Sequence, residues 1–259
     1  MTMIPYFQIV SFEIGPLTVY VWGLAVALGF LLATAIARAR IERRGLSGEA
    51  VTSLAVWIII GSVIGARLVH AAAYQPEIYL ADPWEIFRVW NGGLSSTGGF
   101  LGGTAAAFLF FRRRLLPLPS YADAVITAFP WGWAVGRLGC FLTHLHPGLR
   151  SDFFLAVRFP DGPRLDMGLI EILNALGMAV VIALTRRWFR RDGQAVMIGI
   201  AWYSIVRFLT DFLRADDLPM SDIRYSGLTP AQYAMVLLFV VAVIIFLRSR
   251  KRPAVSYVP

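Results

Sequence analysis

The sequence predicts an all-α integral membrane protein with seven transmembrane helices, an N-terminus outside the membrane and a cytoplasmic C-terminus. Of its 259 residues, 58% are hydrophobic and 15% are charged. Together with a mean hydropathy of +0.65, this composition is typical of a membrane protein and excludes an ordinary soluble domain. Seven apolar runs are long enough, at about 20 residues each, to cross the hydrocarbon layer as helices.

The predicted spans follow one another in a single membrane domain that covers residues 1–259. They lie near residues 17–37, 50–73, 94–111, 121–142, 167–185, 194–213 and 229–247. Because the connections between them are mostly short, no second domain is expected.

Basic residues give the predicted orientation, because cytoplasmic loops of membrane proteins carry an excess of Lys and Arg. Clusters follow spans one, three, five and seven. Their members are Arg38, Arg40, Arg43 and Arg44, then Arg112, Arg113 and Arg114, then Arg186, Arg187, Arg190 and Arg191, and finally Arg248, Arg250, Lys251 and Arg252. The net charge of +8 is therefore divided among loops, and we expect no nucleic-acid partner.

Two longer loops lie on the outer side of the predicted topology. Residues 75–93 combine charged residues with Trp84, Phe87 and Trp90, which suits an amphipathic segment in the headgroup region. Residues 143–166 carry a histidine pair and the apolar stretch FLAVRF, which favours a short strand.

Three arginines occupy similar positions in spans two, four and six, all of which run outwards. Arg67, Arg137 and Arg207 each lie about five to seven residues before the outer end of their span. Because a helix rises about 1.5 Å per residue, the three arginines are predicted at nearly the same depth, in the outer third of the bilayer. A charged side chain inside a bilayer is costly and usually faces a protein interior, a water cavity or a ligand. Since guanidinium groups bind phosphate bidentately, we predict a site for an anionic lipid headgroup.

Other polar residues fall near the same predicted depth. Tyr203 and Asp211 share a helical face with Arg207, and the i,i+4 spacing allows Asp211 to pair with Arg207. Glu171 lies early in span five, and Gln232 lies early in span seven. Backbone amides at the mouth of span three can also meet an anionic headgroup. The residues concerned there are Thr97, Gly98 and Gly99.

Structural roles are the alternative for each of these features. Arg207 with Asp211 and Arg137 with Glu171 would then be ion pairs, and Arg67 would extend towards the membrane surface. The glycine pairs would let helices approach closely, because they have the spacing of small-xxx-small motifs. These pairs are Gly61/Gly65, Gly98/Gly102, Gly99/Gly103 and Gly132/Gly136.

Three stretches, WNGGLSSTGGFLGG, GRLGCF and YSIVRFLTDFLRADD, resemble the prolipoprotein diacylglyceryl transferases of bacterial inner membranes. Further matches, VWGLAVALGF, IGARL, PRLDMGLIE and GLTPAQY, occur in the family's order and cover nearly the whole chain. The resemblance implies seven spans in a bacterial cytoplasmic membrane. We expect no cofactor and no metal site.

The resemblance also implies an activity. Members transfer the diacylglyceryl group of phosphatidylglycerol to the lipobox cysteine thiol of a lipoprotein precursor, and glycerol phosphate is released. The family's two critical arginines correspond to Arg137 in the GRxG motif, which Gly139 completes, and to Arg207. The family's acidic residue corresponds to Asp211. Such chemistry needs the phosphate to be held while the thiol loses a proton.

The chain departs from the family's pattern where the acceptor and the proton are handled. Thr97 stands at the family's histidine, Cys140 at the asparagine after GRxG, and Trp22 at a tyrosine of span one. The family's NGE becomes residues 143–145, and LDMGLIE replaces HPSQLYE. We therefore predict that His144 supplies the base, with His146 as the alternative.

Other functions are also compatible with the sequence. Because of the departures, a non-catalytic phospholipid-binding paralog is the main alternative, and the acceptor could differ from a lipobox thiol. A transporter or channel has less support, since the inner halves of the spans are aliphatic. A role for Cys140 as a nucleophile has weaker support still, because a lone membrane cysteine is usually a packing residue. A metal site has equally weak support, because the spacing of its possible ligands, His70, His144 and His146, is irregular.

Overall fold

The computed structural model describes residues 3–189, 191–218 and 224–250, and helices dominate this part of the chain. In chain order the helices are α1 (Val21–Glu42), α2 (Gly48–Ala73), α3 (Pro76–Ala81), α4 (Ser96–Arg114), α5 (Leu118–Thr143), α6 (Met167–Thr185), α7 (Gln194–Thr210) and α8 (Pro230–Arg250). Short 3₁₀ turns occupy Pro83–Phe87, Val89–Asn91, Arg186–Trp188 and Asp211–Leu213.

Six helices in the described part of the chain are long and apolar enough to cross a membrane. This finding confirms the prediction of an α-helical integral membrane protein. The third predicted span forms a helix, α4, at the expected place, but α4 is not among the six. Its four glycines and three terminal arginines make it much less apolar than the others, so a seventh crossing stays a prediction.

Two stretches of the chain form short strands in addition to the helices. Strands β1 (Ser11–Ile14) and β2 (Leu17–Tyr20) form an antiparallel hairpin, so α1 begins at Val21 and not at residue 17. The turn between them contains Gly15 at a positive φ of 61°, a conformation that glycine adopts without strain.

The second sheet lies between α5 and α6. Its strands are β3 (Pro147–Arg150), β4 (Val157–Phe159) and β5 (Gly162–Asp166), all antiparallel, in the order β3-β5-β4. The strand predicted within FLAVRF is therefore present as β4.

Residues 38–121 form one compact unit, called here the small unit, and the rest of the chain forms another, the large unit. In the small unit, α2 packs on α4 through glycines. A Cβ on Gly65 would lie 2.7 Å from the Cα of Gly102, a distance that only a glycine permits. The packing role considered for Gly65 and Gly102 is confirmed.

The large unit brings together the C-terminal ends of α5 and α7 and the N-terminal ends of α6 and α8. Asp123 of α5 is buried and accepts hydrogen bonds from the backbone nitrogens of Gly193, at 2.7 Å, and Val196, at 3.0 Å, at the start of α7. The indole nitrogen of Trp202 on α7 donates to Asn174 Oδ1 of α6 at 2.9 Å. These buried polar contacts fix the helices that carry the candidate site.

Candidate functional site

An ion cluster lies at the C-terminal end of α7. Asp211 has no exposed surface, and its Oδ1 lies 2.8 Å from Arg207 Nη1 and 3.1 Å from Arg214 Nε. Glu171 of α6 extends the cluster, because its Oε1 lies 3.8 Å from Arg207 Nη1. The predicted pairing of Arg207 with Asp211 is confirmed. Arg214 was not selected from the sequence, although its i,i+3 spacing from Asp211 is a signal that could have identified it.

The start of α8 closes one side of this cluster. Thr229 Oγ1 donates a hydrogen bond to Asp211 Oδ2. Gln232 Oε1 accepts from the backbone nitrogen of Thr229 at 2.9 Å, and the backbone nitrogen of Gln232 donates to Thr229 Oγ1 at 3.2 Å, which is a capping box. Gln232 Nε2 donates to the carbonyl of Phe208. Both ends of the Gln232 amide are thus used inside the fold, and its contact with substrate stays a prediction.

Arg137 is half-buried in α5 and has a different environment. Its Nη1 lies 3.8 Å from Cys140 Sγ, one turn further along the helix. Within the described residues Arg137 forms no ion pair, and the pairing with Glu171 considered above is not made. The guanidinium of Arg137 therefore has its charge available for an anion.

His146 lies between the end of α5 and the start of β3, and its ring is subject to the charges of several arginines. Burial, and to a lesser degree the charges of Arg137, Arg214 and Arg207, together lower the pKa of His146 to about 4. Three guanidinium groups from two helices and the segment after α7 therefore act on one imidazole ring. The charges of both predicted arginines, Arg137 and Arg207, thus act on the same ring.

Tyr203 and Gly139 border this region. The ring of Tyr203 packs edge-on against Trp133 of α5, with 5.3 Å between centroids, and Tyr203 is close enough to Glu171 and Arg207 to interact with their charges. A Cβ on Gly139 would lie 3.1 Å from the Cα of Trp22, so this glycine lets α1 approach α5.

His144 occupies an enclosed position. Its Nδ1 lies 2.7 Å from Asp166 Oδ2, and its side chain is 1% exposed. Four aromatic rings surround it at centroid distances from 5.0 to 5.5 Å: Tyr6, Phe7, Phe141 and Phe159. Asp166 Oδ1 also caps α6 by accepting from Leu169 N at 3.1 Å, and burial raises the pKa of Asp166. The pair joins the end of α5 to the start of α6, and a role for His144 as base stays a prediction.

Arg164 holds the segment after α7 on the second sheet. It is 1% exposed, and its Nη2 lies 2.6 Å from Asp217 Oδ2 and 2.8 Å from Asp161 Oδ2. Its hydrogen bonds lower the pKa of the Asp217 carboxyl. A β-bridge between Gly148 and Arg214 adds a backbone link. These contacts fix the position of Arg214.

Arg67 lies in the small unit, where its guanidinium is engaged with a loop. It is 4% exposed, which excludes the extension towards the surface considered above. Its nitrogens donate to five carbonyls, those of Glu85, Ile86, Arg88, Gly92 and Gly93. Because these bonds use its donors, lipid binding by Arg67 would require them to exchange, and such binding stays a prediction.

The glycine-rich start of α4 is also internally bonded. Ser95 Oγ accepts from Gly98 N at 3.3 Å, and the Ser95 carbonyl accepts from Gly99 N at 2.9 Å. Gly98 is buried and Thr97 is exposed. Contact of these residues with a headgroup stays a prediction. So does the common depth of Arg67 with Arg137 and Arg207, which belong to different units.

Comparison with known proteins identifies the family of the chain. A family model described as prolipoprotein diacylglyceryl transferase matches residues 9–248. Among similar proteins, three are named phosphatidylglycerol–prolipoprotein diacylglyceryl transferase. The one from Chromohalobacter salexigens is 33% identical over 248 residues, which cover 94% of this chain and 93% of that protein. The one from Neisseria meningitidis is 31% identical over 274 aligned positions, covering 94% and 96%.

The third relative, from Vibrio cholerae, is 34% identical over 220 residues, which cover 82% of this chain and 81% of that protein. All three matches thus extend over most of both chains, and the family model includes every residue of the arginine site. The chain belongs to the prolipoprotein diacylglyceryl transferase family.

Proposed function

We propose that this protein transfers the diacylglyceryl group of phosphatidylglycerol to the cysteine thiol of a lipoprotein precursor. The observation that carries the proposal is a cluster of arginines: Arg207 and Arg214 share Asp211 Oδ1, and the charge of Arg137 acts on the same imidazole ring, that of His146, as theirs. Guanidinium groups hold phosphate oxygens by charge-assisted hydrogen bonds. In a transfer that releases glycerol phosphate, they would also stabilise the negative charge that develops on the leaving group.

The charges of the site suit a phosphodiester. Arg207 is paired with Asp211 and lies near Glu171, whereas Arg137 has no ion-pair partner in the described part of the chain. The positive charge of Arg137 can therefore pair with the single negative charge of a phosphodiester. A purely phospholipid-binding role has less support, because the similar proteins reported above carry the name of a transferase and match this chain over most of their length.

Glu171 suits the headgroup of the proposed lipid. It is 1% exposed, and neither carboxylate oxygen accepts a hydrogen bond from any described residue. Buried acceptors in folded proteins nearly always have a donor. The glycerol headgroup of phosphatidylglycerol has two hydroxyl donors, and we assign Glu171 to accept from them beside Arg207.

Glu171→Gln should therefore weaken the preference for a glycerol headgroup. We expect kcat/KM for phosphatidylglycerol, relative to phosphatidylmethanol, to fall by about 10-fold or more, because hydrogen bonds to charged groups contribute about 1.5–3 kcal/mol. The exposed Glu77→Gln is the matched control. An unchanged ratio of the two substrates in Glu171→Gln would remove Glu171 from headgroup recognition.

The proposed topology is seven crossings of a bacterial cytoplasmic membrane, with the N-terminus outside and α4 as the third span. The basic clusters after α1, α4, α6 and α8 support it. Single cysteines at Glu77 and Leu115, in a Cys140→Ser background, bracket α4. A membrane-impermeant maleimide should label the cysteine at Glu77 in intact cells and the one at Leu115 only after permeabilisation. Labelling of both in intact cells would contradict a crossing by α4.

Complementation tests the proposed activity in cells. The wild-type chain should restore growth to a bacterium depleted of its own prolipoprotein diacylglyceryl transferase. Arg207→Gln, present in the membrane at the same level, should not. Failure of a well-expressed wild-type chain to restore lipoprotein modification would count against transfer to lipoprotein precursors.

A further inference from the structure

The backbone places His146 among the elements that carry the arginine site. It lies three residues after the end of α5, which bears Arg137, and two residues before Gly148, which forms a β-bridge with Arg214. Its carbonyl accepts from Met167 N at 3.0 Å, at the start of α6, and Glu171 lies one turn further along that helix. His146 is thus tied to the start of α6 and lies two residues from the β-bridge that holds Arg214.

The imidazole ring of His146 is half-buried and available. Among the described residues it forms no hydrogen bond. The charged groups that act on it are Arg137 from α5, Arg207 from α7 and Arg214 from the following segment. Asp211 and Glu171 are the carboxylates of this cluster and are paired with those arginines.

The other bases near the site are less suitable. Asp211 is shared by Arg207, Arg214 and Thr229, so it has little capacity for a proton. The Nδ1 of His144 is bonded to Asp166, and its Nε2 is buried without a hydrogen-bond partner in the described structure. Its aromatic enclosure leaves no room for an acceptor thiol, whereas His146 is partly accessible.

We infer that His146 is the general base that accepts the thiol proton when phosphate is bound by the arginines of the site. The inference rests on the proposed function. While the site is empty, three guanidinium groups oppose a positive charge on the ring. A bound phosphate offsets part of their charge, and the leaving glycerol phosphate offsets more.

The transfer forms one C–S bond, breaks one C–O bond and moves one proton. The acceptor S–H proton moves to a ring nitrogen of His146, and the thiolate electron pair forms a C–S bond with the glyceryl carbon that is bound to the phosphate oxygen. The C–O bond breaks, and its electron pair stays on that oxygen of glycerol phosphate. The imidazolium then gives its proton to the departing phosphate, which returns His146 to its neutral form.

The direction of the pH dependence follows from the lowered pKa of His146. In the free enzyme the ring is neutral and basic above pH about 4 and loses this form only as the pH falls through that value. With phospholipid bound, the pKa should rise towards the ordinary 6.5. The acid limb of kcat, which reports the complex, should therefore lie at higher pH than the acid limb of kcat/KM, which reports the free enzyme.

His146→Gln tests the inference in the full-length protein in lipid nanodiscs. At pH 7 we expect kcat to fall by about 100-fold, with phosphatidylglycerol binding changed by less than about threefold, since Gln has similar size and no charge. Between pH 7 and 8.5 the variant's rate should rise about 15-fold as the free thiol, with a pKa of about 8.5, ionises. The wild type should show no such rise. His70→Gln, in the small unit, is the control.

The outcomes separate the inference from the proposed function. Wild-type transfer with His146→Gln within about threefold of it would overturn the role of His146 and leave the function standing, and a larger loss in His144→Gln would assign the base there. Absence of wild-type transfer would overturn both. Histidine NMR gives a readout without turnover: the pKa of His146 should rise when phosphatidylglycerol is added to phosphatidylcholine nanodiscs. No rise with lipid bound would contradict binding of the phosphate near His146.

Discussion

Arg137→Gln should lower kcat by about 10³-fold while the protein stays folded. The guanidinium of Arg137 has no ion-pair partner in the described structure, so its removal leaves no buried carboxylate uncompensated. Its contribution is expected in the transition state, where loss of one charge-stabilising donor costs about 10²–10³ and loss of an arginine on a phosphoryl group up to about 10⁵. The measurement is glycerol phosphate release from labelled phosphatidylglycerol.

Two companion variants define the role of Arg137. Arg137→Lys keeps the positive charge but loses the planar fork that binds two phosphate oxygens, and it should retain intermediate activity. Arg158→Gln removes an exposed arginine of the same unit and should leave kcat unchanged. Activity of Arg137→Gln within tenfold of the wild type would contradict a role for Arg137 in holding the phosphate.

Asp211→Asn should destabilise the protein strongly. Asp211 is fully buried and shared by Arg207 and Arg214, and it accepts from Thr229. Without its charge, two guanidinium groups lose their common counterion, and breaking a buried ion pair costs about 3–5 kcal/mol. We expect this loss in the free energy of unfolding in detergent, together with weaker packing of α7 against α8.

Asp82→Asn is the control for Asp211→Asn, because Asp82 forms an ion pair of similar length in an exposed position. Asp82 Oδ2 lies 2.9 Å from Arg88 Nη1, but both side chains are nearly half exposed. Exposed pairs contribute little because water screens them, so Asp82→Asn should give no measurable change in stability. Equal effects of the two substitutions would show that burial of Asp211 does not determine its contribution.

The spans were largely predictable because apolar length alone identifies a membrane helix. The predicted 167–185 coincides with α6, and most other boundaries agree within a few residues. The exception is α1, where Leu17–Tyr20 pairs as a strand with Ser11–Ile14. A run of apolar residues does not reveal that its first part has a cross-strand partner.

Local spacing also predicted part of the site. Arg207 and Asp211 lie four residues apart on one helix, and they pair as that spacing requires. Partners across helices were not predictable in this way. Glu171 was considered for Arg137 and instead lies nearest Arg207, because the relative rotation of α5, α6 and α7 is set by packing and not by sequence distance.

Arg67 illustrates a second limit. Its partners are five backbone carbonyls of the loop 85–93, and carbonyls carry no sequence signature. The two histidines after α5 illustrate a third. His144 adopts a positive φ of 48° and lies among rings from the distant N-terminal segment. His146, two residues later, is instead subject to the charges of the arginines.

Mass spectrometry of an acceptor peptide shows whether the protein transfers diacylglyceryl from phosphatidylglycerol. Purified protein would be incubated with phosphatidylglycerol and a peptide that carries a lipobox cysteine. We expect a peptide mass increase of one diacylglyceryl group, matched by an equal amount of released glycerol phosphate, and neither product with Arg207→Gln or with a serine in place of the peptide cysteine. An unmodified peptide and no glycerol phosphate from folded wild-type protein would contradict the proposed transfer.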